Sequence, residues 1–199
     1  MSAYYQEIIL HDDTEISLGF LWGKMYGIVH DKLVSIQNDE GKTPVGAAFP
    51  DYGSKKFPLG NRLRLFSPDT KTLEKLSLGR SFENMADYVE VSNILQTPTE
   101  HGYAIFSRKQ FKKTNPERLA RRYAKRHGVS LEEAMRKYEV LEEKSEKIVE
   151  ENRLPYVNLH SASTGQRYKL FIDKKETNES SGGWFKTYGL GSGAAVPDF

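Results

Sequence analysis

Five histidines, one hydroxyl-rich turn and one block of arginines are the parts of this 199-residue sequence whose types and spacing could do chemistry. The histidines are His11, His30, His101, His127 and His160. None lies in an HxH or HExxH pattern, none forms an Asp/His cluster with ligand spacing, and the chain has no cysteine. Disulfides, thiolate metal sites and cysteine nucleophiles are excluded, and neither a metal site nor a cofactor is expected. Ser161, Ser163 and Thr164 lie in the segment SASTG, where hydroxyls commonly serve a turn. Tyr188 and the run GLGSG belong to a glycine-rich tail, whose plain reading is flexibility. An imidazole titrates near working pH and suits a general base, and a serine can hold a ribose hydroxyl. With cations along a phosphate backbone, such groups would suffice for metal-free cleavage of RNA at its 2′-hydroxyl, a group DNA lacks.

The cations are concentrated. Residues 106–127 hold nine basic side chains (Arg108, Lys109, Lys112, Lys113, Arg118, Arg121, Arg122, Lys125, Arg126) and one acid, Glu117, in a chain whose net charge is +2. The remainder is therefore net acidic. On a helical wheel Arg118, Arg121, Arg122, Lys125 and Arg126 share one flank, opposite Leu119, Ala120, Tyr123, Ala124 and His127. A charge run is ordinarily a solvated face. The lack of interleaved acids favours a polyanion site instead, with guanidinium forks gripping phosphate or a guanine edge. RNA and DNA remain alternatives at this level.

Positioning these groups falls to an alternation of strands and helices. Residues 4–10 predict a strand and 16–36 a helix whose apolar stripe is Leu18, Leu21, Trp22, Met25, Val29, Leu33 and Ile36. His30 falls about 120° from Leu18, off that stripe. Residues 46–49 and 62–66 predict strands, 70–78 and 82–88 helices, and 89–95 a strand. This β-α-β-β-α-β order is the split βαβ, ferredoxin-like pattern, and it places an N-terminal domain at residues 1–96. Residues 96–102 read as a linker into a second half, 97–199, with a strand at 103–107. The basic helix spans 115–127, capped by Thr114 or Asn115, with Pro116 in its first turn and Gly128 as its stop. A solvated helix follows from Ser130 with Glu133 as a capping box, then strands at 156–160 and 166–172 that form an imperfect ferredoxin-like sheet. The class is α+β. The first basic residue is Lys24 and the longest apolar stretch, 16–23, is too short for a bilayer, so a cytoplasmic protein with no membrane partner is expected.

Several stretches occur in the order of one family: YGIVHDKLV around His30, VGAAFPDY, LGNRLRLF, SRKQ, TNPERLARRYAKRH, LPYVNLHSASTGQRYKLFI, GGWFKTYGL and the final VPDF. Together they resemble the type I-F CRISPR repeat endoribonuclease, the Csy-type nuclease of the Cas-six superfamily. The resemblance implies a ferredoxin-like domain followed by a half carrying the arginine-rich helix. It implies cleavage of precursor CRISPR RNA at the 3′ base of the repeat hairpin, leaving a 2′,3′-cyclic phosphate and a 5′-hydroxyl. The hairpin is then retained among the other subunits of the surveillance complex. By the same resemblance His30 is the general base, Ser161 holds the ribose and Tyr188 orients the histidine. Arg108 and Gln110 read bases at the foot of the stem, and Arg122 and Arg126 contact guanines in the major groove. Arg118, Arg121 and His127 face the RNA backbone, and Tyr168 stacks on the terminal base pair. Lys112, Lys113, Asn115, Lys125, Ser163 and Thr164 complete the expected RNA contacts. Lys125 stands where the family pattern has arginine, which keeps charge but loses the fork. A non-cleaving hairpin binder and a DNA-binding protein are the alternatives.

Overall fold

The computed structural model describes residues 3–111, 116–137, 154–161, 164–191 and 193–199. They fall into two compact units, Met1–Lys109 with Pro155–Phe199, and Gln110–Leu154.

In the first unit, the β-formers of YYQEIIL make β1 (Tyr4–Leu10), which buries Ile8 and Leu10. Ser17 caps α1 (Leu18–Ser35) by accepting the Phe20 N–H, and the helix buries the expected stripe through Leu21, Trp22, Met25, Val29 and Leu33. The chain continues through β2 (Lys42–Thr43), β3 (Gly46–Ala48) and β4 (Arg62–Ser67), then α2 (Thr70–Leu76) and α3 (Leu78–Ser81). A 3₁₀ turn at Glu83–Met85 leads to β5 (Val89–Val91) and β6 (Leu95–Gln96). The sheet order is β3-β4-β1-β5 with antiparallel pairing, and β6 also pairs with β1. That order is compatible with the ferredoxin-like pattern.

Three expected elements differ. The strand expected over 89–95 is two short ones, because the Ser92 hydroxyl takes the Glu7 N–H at 2.9 Å and replaces a ladder bond. The helix expected over 70–78 breaks at Ser77, a left-handed residue with φ 47°. Instead of a helix over 82–88 there is only the 3₁₀ turn. The expected linker begins and ends in strands, with Gln96 in β6 and Gly102 in β7 (Gly102–Lys109).

A second antiparallel sheet has the order β11-β7-β9-β8, with β8 at Tyr156–His160, β9 at Arg167–Thr177 and β11 at Val196–Asp198. β10 (Phe185–Lys186) pairs with β2. The glycine-rich tail is therefore anchored rather than loose: Phe185, Leu190 and Val196 belong to the core. Gly189 shows why glycine is needed there. Its φ is +69°, and a Cβ would lie 2.8 Å from that of Ala47. The tail is also tied by charge. Arg64, 8% exposed, bonds Glu7 at 2.6 Å and the Phe199 carbonyl, and its guanidinium lies 4.2 Å from the Phe199 ring centre. A guanidinium this buried requires such partners.

The second unit contains α4 (Pro116–His127) and a helical stretch at 131–137. Gly128, with φ +67°, ends α4 as expected, and the Ser130 hydroxyl accepts the Glu133 N–H at 3.1 Å. The Lys137 ammonium lies 4.1 Å from the Tyr123 ring centre. The expected caps Thr114 and Asn115, and the helix beyond residue 137, lie outside the described residues.

One close approach governs where α1 sits. A Cβ on Gly23 would lie 2.6 Å from the main-chain oxygen of Asn158 in β8, whereas one on Gly27 would meet nothing within 4 Å. Gly27→Ala is expected to stabilise the protein by about 0.5–1 kcal/mol through helix propensity. Gly23→Ala must push the helix off a backbone that cannot yield, and overpacking of this kind costs roughly 1–3 kcal/mol. Urea unfolding of the two variants should shift in opposite directions; a stabilised Gly23→Ala protein would show that the helix does not rest on β8.

Candidate active site

α1 carries His30 one turn beyond Tyr26, at the edge of the buried stripe. Its Nδ1 lies 2.8 Å from the carbonyl oxygen of Thr187. A carbonyl can only accept, so Nδ1 carries the proton, and in the neutral ring Nε2 keeps its lone pair. The imidazole lies flat against Tyr188, with ring centres 4.1 Å apart and planes 10° apart.

Thr187 and Tyr188 form the turn after β10, closed by Gly189 N–H to the Lys186 carbonyl at 2.7 Å and Lys186 N–H to the Leu190 carbonyl at 3.0 Å. The fully buried Tyr26 holds this turn from beneath, its hydroxyl donating to the Tyr188 carbonyl at 2.8 Å. The two tyrosine rings lie parallel, 6.5 Å apart at 4°. At the outer end the Tyr188 and Tyr168 hydroxyls are 2.6 Å apart. The Arg108 guanidinium stands 5.8 Å from the Tyr188 ring centre and 5.9 Å from that of Tyr168. His30, Tyr188, Tyr168 and Arg108, from distant parts of the sequence, are thus brought together.

Burial pushes the Tyr26 phenol far above its usual range, and a phenolate at Tyr188 would push it the same way. Tyr168 is also raised, first by burial, then by its hydrogen bond with Tyr188 and that residue's charge, against the opposing pull of Arg108. Both phenols are neutral at working pH.

Ser161 closes β8, the strand on which α1 rests. Its N–H donates to the Gln166 carbonyl at 2.8 Å, and its hydroxyl accepts the Thr164 N–H at 3.2 Å. Thr164 is exposed, and Ser163 lies outside the described residues. Gln110 is exposed; Lys112, Lys113 and Asn115 lie outside the described residues.

On α4 the expected sidedness is present. Ala120 is buried, Leu119, Tyr123 and Ala124 are half-buried, and Arg118, Arg121, Arg122, Lys125 and Arg126 are exposed. His127, expected on the packing flank, is instead exposed at the helix end, with its ring 4.3 Å from Tyr123. Arg121 pairs with Glu117, an exposed contact worth at most about 1 kcal/mol.

The family described as CRISPR-associated protein (Cas_Csy4) matches residues 5–199. The chain belongs to the Csy4 family. A relative from Pseudomonas aeruginosa (strain UCBPP-PA14), named CRISPR-associated endonuclease Cas6/Csy4, is 33% identical over 198 residues, covering 98% of this chain and 99% of the relative. One of the same name from Escherichia coli (strain UTI89 / UPEC) is 30% identical over 197 residues, covering 98% and 99% respectively.

In this Csy4 family member two contributors escaped the sequence reading. Tyr26 lies on the wheel between the apolar stripe and His30, and that spacing could have singled it out. Thr187 contributes only a carbonyl, which no side-chain pattern reveals.

The raised phenols make stability fall in alkali. The unfolded chain releases each tyrosine proton near pH 10, while folded Tyr26 holds it, so above about pH 10 the unfolded state binds fewer protons. Stability is full below that pH and declines as pH rises past it, by about 1.4 kcal/mol per pH unit for Tyr26. Urea unfolding from about pH 8 to pH 11 should show this decline, and Tyr26→Phe should flatten it. An unchanged slope in the variant would place the alkaline sensitivity elsewhere.

Proposed function

We propose that this chain is a sequence- and structure-specific endoribonuclease. It cuts precursor CRISPR RNA at the 3′ base of the repeat hairpin without a metal, and acts in the cytoplasm. The observation that carries the reading is His30: bonded through Nδ1 to a carbonyl and stacked on Tyr188, it keeps Nε2 as a proton acceptor in its neutral form. Nε2 takes the proton of the ribose 2′-hydroxyl. The 2′-oxygen attacks the adjacent phosphorus, the bond from phosphorus to the 5′-oxygen breaks, and that oxygen takes up a proton. A 2′,3′-cyclic phosphate and a 5′-hydroxyl result, with no net redox change. Ser161 holds the reacting ribose, and Tyr188 sets the plane of the imidazole.

Binding falls to residues 97–199, whose sheet is read as an imperfect ferredoxin-like half, while 1–96 is the ferredoxin-like domain supplying His30. Arg122 and Arg126 read guanines in the major groove, which a helix enters only where a short hairpin's loop opens it. Arg118, Arg121, Lys125 and His127, with Lys112, Lys113 and Asn115, lie along the backbone. Arg108 and Gln110 read bases at the foot of the stem, Tyr168 stacks on the last base pair, and Ser163 and Thr164 complete the contacts. The relatives are named CRISPR-associated endonucleases, which supports nuclease action in a CRISPR system. The product hairpin stays bound, and with it the protein enters a complex with other subunits.

Single-turnover cleavage of hairpin RNA in EDTA, with binding measured in parallel, tests the reading. Wild type should cut. His30→Ala should bind as tightly but cut about 10²–10⁴-fold more slowly. Ser161→Ala should separate binding from cleavage in the same way. A base must be unprotonated, so the wild-type rate should fall on acidification. A 2′-deoxy substitution before the cut should abolish cleavage; binding without any cleavage of the unmodified RNA would leave a scaffolding subunit. Arg122→Ala and Arg126→Ala should each weaken binding by roughly 1–3 kcal/mol and relax sequence discrimination. Equal losses on cognate and scrambled stems would show that α4 reads no sequence.

A further inference from the structure

Tyr188 is restrained at two places. The Tyr26 hydroxyl fixes its carbonyl, and the Tyr168 hydroxyl meets its own at 2.6 Å. His30 rests on the face of the ring between them. A tyrosine ring held only by its main chain can still turn about its side-chain torsions. Any such turn would carry the plane on which the imidazole lies.

We propose that the Tyr168 hydroxyl is a positioning group that acts through Tyr188 to set the orientation of His30. The ring of Tyr168 would serve the RNA end, and its hydroxyl would serve the base, so one side chain links the platform to the reacting centre. This rests on the functional reading given above for His30 and Tyr188. The chemistry is suited to the task. A bond between two neutral phenols keeps one as donor and one as acceptor, and burial around Tyr168 keeps its proton in place. Arg108, close to equidistant from the two ring centres, faces both rings and favours their keeping this relation.

Tyr168→Phe removes the hydroxyl and keeps the ring. It is expected to bind hairpin RNA within about twofold of wild type and to cut it roughly 10- to 100-fold more slowly, the scale of loss for a displaced reacting group. Tyr188→Phe removes the same bond from its other side. The double variant should be no slower than the slower single one, because both lose one shared interaction. Nitrogen-15 NMR of the free protein supplies a readout that does not depend on cleavage: the His30 imidazole signals should shift or broaden in Tyr168→Phe. Wild-type cleavage rates together with unchanged imidazole signals in that variant would overturn the proposal, as would multiplicative losses in the double variant. If the wild type cuts no RNA, the nuclease reading falls, and the imidazole signals still decide whether the hydroxyl positions His30.

Discussion

The hydrogen bond from His30 Nδ1 to the Thr187 carbonyl joins residues 157 positions apart, and much of the first unit serves to keep its two ends together. One end is simple: α1 is capped by Ser17, buried along one stripe and laid against β8 at Gly23. The other end is a two-residue turn with little structure of its own. It is held because β10 pairs with β2, β11 pairs with β7, and Gly189 fits against Ala47. Arg64 adds a charged tie at Phe199. The catalytic geometry proposed for His30 is thus a property of the tail's packing as much as of the helix that bears the residue.

α4 presents the opposite situation. Arg118, Arg122 and Arg126 succeed one another at four-residue spacing, as do Arg121 and Lys125, and like charges so placed each cost an isolated helix about 0.2–0.5 kcal/mol. Glu117, paired with Arg121, relieves little of this. A polyanion laid along the exposed flank would remove the repulsion and release its own counterions, so binding and helix stability would rise together.

The elements most legible in the sequence are those with a period; the three-residue β3 is legible through its flanking turn residues instead. The stripe of α1, the main antiparallel strands and the charged flank of α4 each repeat often enough for pattern to outweigh noise. β2, β10 and β11, two or three residues long, have no period to detect. Ser77 and Ser92 ended elements through backbone conformation and a side-chain bond, choices that depend on neighbours far along the chain. The tail differs from its composition because glycine has two uses. Composition suggests freedom, whereas Gly189 supplies a left-handed turn and room for Ala47. At the site, His30 was visible as a polar residue off an apolar stripe. Its partnership with a carbonyl, and the pairing of the Tyr168 and Tyr188 hydroxyls, arise only when strands from separate parts of the chain meet.

The late position of that tail bears on synthesis. A ribosome delivers α1 and His30 early, but the Thr187 carbonyl bonded to the imidazole, and β10 and β11 beside it, emerge only after β1 to β9. Contacts of such long sequence separation form slowly, since loop closure must precede any gain. A nascent chain could therefore complete most of its first sheet while His30 still turned freely, and the geometry proposed for it would arrive only when β10 and β11 pair.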